Sequence, residues 1–113
     1  MSFSTELQGR TATVRVGTEL DYRNAEEFKT TCQQVLARGI RSFILDFSGV
    51  KILDSSGLGA IFHLYRQLNR QEGSMAMASL SPAAETAIRV VRLPRLIPCF
   101  SNCNAAQSSL NGA

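Results

Sequence analysis

The chain has 113 residues, of which 44% are hydrophobic and 19% are charged, and its formal net charge is +3 at pH 7. This length suits one domain with a single core, and both fractions are ordinary for a globular protein. The basic residues are scattered, so the charge does not indicate direct binding to nucleic acid. Arg89, Arg92 and Arg95 are a local excess, which we interpret as a solvated face.

Several classes of protein are disfavoured by what the sequence lacks. No apolar stretch approaches the roughly 18–20 residues that cross a bilayer, and Met1–Glu6 lacks the basic head and apolar stretch of a signal peptide. The three cysteines do not suggest a disulfide framework. Cys99 and Cys103 with a distant histidine do not make a tetrahedral metal site. We therefore expect a cytoplasmic protein without a metal or a membrane partner.

Hydrophobic periodicity predicts strands that alternate with helices. A hairpin turn is predicted at Gly9-Arg10, a capping box at Asn24 and Glu27, and a helix start at Ser81-Pro82. The predicted elements are strands at 2–8 and 11–16, a helix from 25 to a stop at Gly39, a strand at 43–47, a helix that starts at the serines, has its apolar stripe at 58–68 and ends near 73, a strand at 74–80, a helix at 82–91, a short strand at 97–100 and a short helix at 104–110.

This element order predicts the α/β class, with a mostly parallel sheet, right-handed crossovers and helices packed against it. In open sheets of this kind, function gathers where the strands end. Thr18–Asp21 and Asp54–Ser56 both follow strands and fall at that edge. We expect the functional residues there.

The run Leu53–Gly59 places two hydroxyls and a carboxylate at a helix start, where unpaired N–H groups favour negative charge. A nucleophilic serine needs a base within reach. The one histidine, His63, lies about two helical turns from the serines, and the run lacks the G-x-S-x-G pattern. We predict no catalytic residue.

A nucleotide site is also weakly supported. Gly57 and Gly59 lie between strand and helix, but neither G-x-x-x-x-G-K-[ST] nor G-x-G-x-x-G is present. Lys51, the nearest lysine, precedes the motif. We therefore expect no cofactor, although a small nucleotide-binding or hydrolytic protein stays as a rival interpretation.

Two interpretations of the serines remain about equal on the residues alone. In the first, Ser55 or Ser56 caps its helix, while Gly57 and Gly59 allow close packing of helix and sheet. In the second, a serine accepts a phosphoryl group, whose charge of about −1.5 to −2 the helix dipole tolerates. Asp54 and Asp21 would then make the surface acidic and repel a partner.

The run Asp54–Gly59 resembles the signature of bacterial anti-sigma factor antagonists, small proteins of the STAS domain family. The resemblance covers about residues 5–100 and is supported by three further segments: Glu19–Asp21, Phe43–Phe47 and Ser81-Pro82. It implies one STAS domain over 1–113, with a core at about 5–100 and a polar tail at 101–113. The implied fold is a four- to five-stranded mixed, mostly parallel sheet with helices mainly on one face.

The same resemblance implies that Ser55 is phosphorylated. The unphosphorylated antagonist would bind an anti-sigma factor that is also a serine kinase of the histidine-kinase-like ATPase fold. Phosphorylation would release it, and a metal-dependent serine/threonine phosphatase would reset it. The residues that the resemblance assigns to partner binding are Asp21, Asp54, Ser56, Gly57 and Leu58. An alternative is an adaptor subunit of an ABC-type lipid or anion transport system, never phosphorylated.

Overall fold

The computed structural model describes residues 3–111. Its strands are β1 (Ser4–Gln8), β2 (Thr11–Arg15), β3 (Glu19–Leu20), β4 (Ser42–Asp46), β5 (Ile52–Leu53), β6 (Ser74–Ala78) and β7 (Cys99–Phe100). Its helices are α1 (Ala25–Ala37), α2 (Ser55–Arg70), α3 (Pro82–Val90) and α4 (Cys103–Asn111), with a 3₁₀ turn at Leu93–Arg95. Ser2, predicted to begin the first strand, lies outside the described residues.

Five strands form one mixed sheet in the order β1-β2-β4-β6-β7. The β1–β2 hairpin is antiparallel and the other three pairs are parallel, which confirms the predicted mixed, mostly parallel sheet. Gly9 adopts a φ of +63° in the hairpin turn, a conformation that glycine allows without steric cost. Gly39, with a φ of +89°, follows α1 and ends it as predicted.

The main core lies between one face of the sheet and the helices α1, α2 and α3. Phe43 and Leu45 of β4 project into it and meet the apolar stripes of the helices, represented by Phe28, Ile61 and Ile88. All five side chains are fully buried. Because β4 is central and covered on both faces, its sequence is almost continuously apolar.

The opposite face of the sheet is covered by α4. Ile44, Ala76 and Ala78 of the sheet and Ala106 of α4 form a second buried cluster. The short helix predicted at 104–110 is confirmed, and it is packed rather than free. The packed part of the chain therefore extends past the expected core end near residue 100. Small alanine side chains on both sides allow the helix to approach the sheet closely. Because this contact needs no large apolar residues, the sequence of the helix gives little indication that it is packed.

One local prediction was wrong, one differs slightly in its bounds, and one pair of strands was not predicted. α2 begins at Ser55, at the helix start predicted beside the serines, and ends at Arg70, slightly before the predicted end near Gly73. Asn24 does not form the predicted capping box, because its side chain makes no bond to the start of α1. The strands β3 and β5, which pair in parallel as a separate small sheet, were not predicted. Two residues each are too few to show a period.

Within residues 3–111, no helix is both long enough and apolar enough to cross a membrane.

Candidate functional site

The small β3–β5 sheet brings the two predicted loops together. Leu20 pairs with Leu53, and the N–H of Asp54 donates to the carbonyl of Leu20 at 3.3 Å. The N–H of Lys51 donates to the carbonyl of Thr18 at 2.7 Å. The turn after β3 therefore lies beside the start of α2, as the argument from strand ends predicted.

Asp54 is the N-cap of α2 and also ties the helix to the neighbouring loop. Its Oδ1 accepts the N–H of Gly57 at 2.9 Å, and its Oδ2 accepts the N–H of Tyr22 at 3.1 Å. The interpretation in which Ser55 or Ser56 caps the helix is therefore wrong, since the carboxylate before them does so. Both serines are left in the first helical turn.

Ser55 and Ser56 are exposed, and neither hydroxyl has a hydrogen-bond partner among the residues that the structure describes. Their N–H groups lie in the first turn of α2, where no carbonyl four residues earlier belongs to the helix. Oxygen-rich anions are stabilised at such a position by the free N–H groups and the helix dipole. The arrangement can therefore hold a covalently attached phosphoryl group.

Gly57 is buried against β3 and leaves no space for a side chain. A Cβ at this position would collide with the carbonyl oxygen of Leu20 and lie 2.9 Å from the side chains of Leu20 and Leu53. The predicted close packing is thus correct for Gly57. It is wrong for Gly59, where a Cβ would have no neighbour within 4 Å. Only the first glycine of the motif sets the approach of α2 to the small sheet.

Asp21 is only 3% exposed, and its carboxylate is paired with Arg23. The Nη2 of Arg23 donates to Oδ2 of Asp21 at 2.7 Å, and the N–H of Arg23 donates to Oδ1 at 3.0 Å. The hydrogen bond from the Arg23 side chain lowers the pKa of Asp21 below its ordinary value of 3.8. The negative charge of Asp21, which the sequence suggested for contact with a partner, is therefore largely balanced by Arg23 within the same loop.

Asn24 holds this loop in shape from inside. Its Oδ1 accepts the N–H of Asp21 at 2.9 Å, and its Nδ2 donates to the carbonyl of Glu19 at 2.9 Å. The local pattern of Asn24 and Glu27 resembled a capping box, but the amide is engaged by the backbone before the helix. That role depends on the β3–β5 pairing and has no local sequence signal.

Exposed apolar side chains lie on the segments that meet at Asp54, and sequence reasoning missed two of them. Tyr22, 76% exposed, donates its N–H to Asp54, and Ile52, 48% exposed, lies in β5 two residues before it. Leu58, a predicted contact residue, is half-buried one turn into α2. The sequence alone could not identify Tyr22 as a contact residue, because nothing in it shows that this turn lies beside the serine motif.

His63 lines a groove between α1 and α2 together with Ser56, Gly59 and Arg66. Seven residues separate it from Ser56, a rise of about 10 Å along a helix, so it cannot take a proton from that hydroxyl. Ser55 does not line this groove. The structure thus supplies neither serine with a base from His63.

The cysteines do not assemble a metal site. Among residues 3–111, no group of three or more His, Cys, Asp or Glu side chains could hold a metal ion. Burial raises the pKa of the Cys32 thiol to about 12, so this cysteine packs as a small apolar group. Burial also raises the pKa of Cys99 and of Cys103.

The model of the STAS domain family matches residues 2–106, almost the whole chain. The chain belongs to the STAS domain family. This STAS domain is 26% identical over 90 residues to an anti-sigma F factor antagonist of Paenibacillus polymyxa, covering 79% of this chain and 77% of that protein.

Solved STAS structures share the fold. A candidate anti-sigma factor antagonist from Thermotoga maritima matches with a TM-score of 0.91 and 22% identity, over 96% of this chain and 94% of that one. The unphosphorylated anti-sigma factor antagonist SpoIIAA matches with a TM-score of 0.86 and 21% identity, over 98% and 97% of the two chains. The phosphorylated form of SpoIIAA, from Bacillus, matches with a TM-score of 0.75 and 22% identity, over 95% of this chain and 98% of that one. A sulfate transporter family protein of Wolinella succinogenes matches at 0.80 with 13% identity, over 94% and 88%.

The contrast between the two glycines of the motif can be tested by substitution. We expect Gly57→Ala to lower the free energy of unfolding by about 1–3 kcal/mol, because the added methyl group has no space beside Leu20. Gly59→Ala is the matched control and should be neutral or stabilising by up to about 1 kcal/mol, since alanine favours a helix. Urea unfolding measures both. Equal effects would contradict the close approach at Gly57.

The ion pair of Asp21 predicts a dependence of stability on pH. Since its pKa is lowered in the folded state, the pair stabilises the fold above pH 3.8 and is lost as the pH falls through the folded pKa. Asp21→Asn should therefore be less stable than the native chain near neutral pH, and the gap should narrow below pH 3.8. Urea unfolding at a series of pH values tests this. Glu72→Gln removes an exposed acid and serves as the control, which should not show this dependence on pH. A difference in the free energy of unfolding between Asp21→Asn and the native chain that stays constant with pH would contradict the pairing.

Proposed function

We propose that this STAS domain is an anti-sigma factor antagonist, and that Ser55 is the residue through which a serine kinase controls it. The observation that supports the proposal is an exposed, unbonded hydroxyl at the first position of α2, held in place by the Asp54 cap. Within this proposal the domain occupies the whole chain, acts in the cytoplasm and is a substrate rather than an enzyme.

The chemistry of the switch belongs to the partners. The kinase transfers the γ-phosphoryl group of ATP to Oγ of Ser55, the hydroxyl proton is lost, and ADP leaves. A metal-dependent serine/threonine phosphatase later hydrolyses the phosphoester with water and releases phosphate. The lack of any hydrogen bond from the Ser55 hydroxyl to a base supports this division, because activation of the nucleophile then comes from the kinase.

Charge is what makes phosphorylation a switch here. Before modification, Asp21 is balanced by Arg23 and the Asp54 carboxylate accepts two backbone N–H groups, so both acidic side chains beside the serine are engaged within the site. A phosphoryl group adds about −1.5 to −2 charges at its centre. A partner that docks on Tyr22, Ile52 and Leu58 would then face an unbalanced, strongly hydrated anion.

Ser55 is favoured over Ser56 on two grounds. It matches the phosphoacceptor position implied by the family resemblance, directly after the aspartate. It also lies outside the groove between α1 and α2 that Ser56 lines, so it is open to another protein's active site. Within this proposal, Ser56 and Leu58 belong to the contact surface around Ser55 and Asp54 is the cap that orders this surface. The buried Gly57 contributes indirectly, because it lets α2 approach β3.

A second function is kept because one relative of the fold favours it. The similarity to a sulfate transporter family protein favours a role for the domain in anion transport. The form of that role which we propose as the alternative is an adaptor subunit of an ABC-type lipid or anion transport system, without phosphorylation. Co-purification with an ABC-type ATPase, together with no labelling of Ser55 in cells, would favour this adaptor role over the antagonist.

Phosphorylation in vitro tests the assignment of Ser55. The full chain is incubated with Mg²⁺, ATP and the ATPase-fold kinase encoded nearest to its own gene, and phosphopeptides are mapped by mass spectrometry. We expect one phosphate, on Ser55, in the native chain and none in Ser55→Ala. The matched control Ser56→Ala should be labelled like the native chain. A phosphate on Ser56, or undiminished labelling of Ser55→Ala, would refute the assignment.

Charge repulsion is tested separately by Ser55→Asp. This variant should unfold at the same urea concentration as the native chain, because an acid in the first turn suits the helix dipole. The partner that binds the unphosphorylated domain is the same kinase. We expect its affinity for Ser55→Asp, measured by calorimetry, to be lower than for the native chain by about tenfold or more. Ser108→Asp, an exposed position on α4, carries the same charge change as a control. Equal affinities of the two variants would argue against repulsion at the serine.

A further inference from the structure

A second surface, which shares Leu58 with the contact surface around Ser55, lies along the flank of α2 next to α3 and the 3₁₀ turn. It is an open groove of about 360 Å³ lined by Leu58, Gly59, Phe62, Val91, Leu93 and Leu96, which we call the apolar groove. Phe62 is 37% exposed, Leu96 is 47% exposed and Val91 is 50% exposed. An apolar cavity of about 150 Å³ holds a benzene ring, so this groove has room for roughly two large side chains.

Cations border the apolar groove on both sides. On the α2 side, the guanidinium of Arg66 lies over the ring of Phe62, 5.3 Å from its centre. On the other side, Arg92 and Arg95 line a shallow depression together with Arg89 and Pro94, and along the chain they alternate with Leu93 and Leu96 of the apolar groove. We call these three arginines the arginine strip. Among the residues described, Arg92 and Arg95 have no acidic partner.

No acidic residue in the described part of the chain lies on this surface. None lines the apolar groove or the arginine strip that follows it, and Glu85, on α3, is paired with Arg89 at 2.8 Å. These arginines, which the sequence alone suggests are a solvated face, have no part in the function proposed for Ser55. An apolar floor between unpaired cations is complementary to a segment with an apolar stripe between acidic flanks.

We propose that the apolar groove is a docking site for an acidic amphipathic helix of another protein. Two apolar side chains at i and i+3 or i+4 of that helix would fill the groove, and acidic side chains beside them would meet Arg66, Arg92 and Arg95. The proposal goes beyond the proposed function, since it requires no phosphorylation of Ser55.

Other occupants fit this surface less well. A second copy of the chain placed symmetrically on the groove would bring two arginine strips together. A lipid surface would leave the concave floor unfilled, because a plane cannot enter it. A convex helix with negative flanks satisfies both the shape and the charge.

Binding of two synthetic peptides tests the proposal. Each has about 16 residues, long enough to form a helix, with leucine at i, i+3, i+4 and i+7. One carries glutamate on the flanks of the stripe and the other carries lysine at the same positions. By fluorescence anisotropy we expect the glutamate peptide to bind the native chain at least about tenfold more tightly. In ¹H–¹⁵N spectra its shift changes should map to residues 58–66 and 91–96.

Charge reversal provides the decisive comparison. Arg92→Glu with Arg95→Glu should weaken binding of the glutamate peptide by about tenfold or more. Arg10→Glu with Arg38→Glu changes the net charge equally at exposed positions away from the groove, and should leave binding unchanged. Equal binding of the two peptides, shift changes elsewhere, or binding only to anionic vesicles in a sedimentation assay would overturn the proposal. None of these outcomes bears on Ser55, which the kinase assay tests alone.

Discussion

One carboxylate connects the parts of the serine site. Asp54 accepts the N–H of Gly57 from its own helix and the N–H of Tyr22 from the loop after β3. The two bonds fix where α2 begins and how the loop lies against it. Without them the start of the helix would keep another unsatisfied donor, and only the β3–β5 pairing would still join the loop to the start of the helix. The exposure of Ser55 follows from this arrangement, because the cap residue precedes the serine and leaves its hydroxyl unused.

The loop on the other side is as strongly constrained. Asn24 bonds both Asp21 and Glu19, and Arg23 neutralises the buried carboxylate of Asp21. The tightest contact is made by Gly57, whose missing side chain lets α2 approach Leu20. The backbone at Ser55 is therefore held in a defined position, while its exposed hydroxyl has no hydrogen bond within the described part of the chain to fix its rotation. That is a suitable property for a substrate of another enzyme, which must orient the serine itself.

The sequence was sufficient for those parts of the fold that have a period or a local stop signal. The apolar run at Phe43–Phe47 and the turn at Gly9 were predicted from residues a few positions apart. The β3–β5 pair was not, because two residues show no alternation and their stability comes from pairing across more than thirty positions. The role of Asn24 and the balance of charge at Asp21 depend on that pair, so they were also missed. The serine motif was found because its chemistry is local to one helix start.

The two surfaces of α2 differ in how far a phosphoryl group on Ser55 can influence them. Phe62 lies seven residues further along the helix, a rise of about 10 Å, which is comparable to the Debye length of about 8 Å at physiological salt. A charge at the helix start therefore strongly weakens partner binding at Tyr22 and Leu58. It has only a weak effect on binding at Arg66 and at the far end of the apolar groove. If one partner used both proposed contacts, phosphorylation would remove the first and largely spare the second. The remaining contact would keep that partner at a high effective concentration, so that removal of the phosphate could restore binding without a new diffusional encounter.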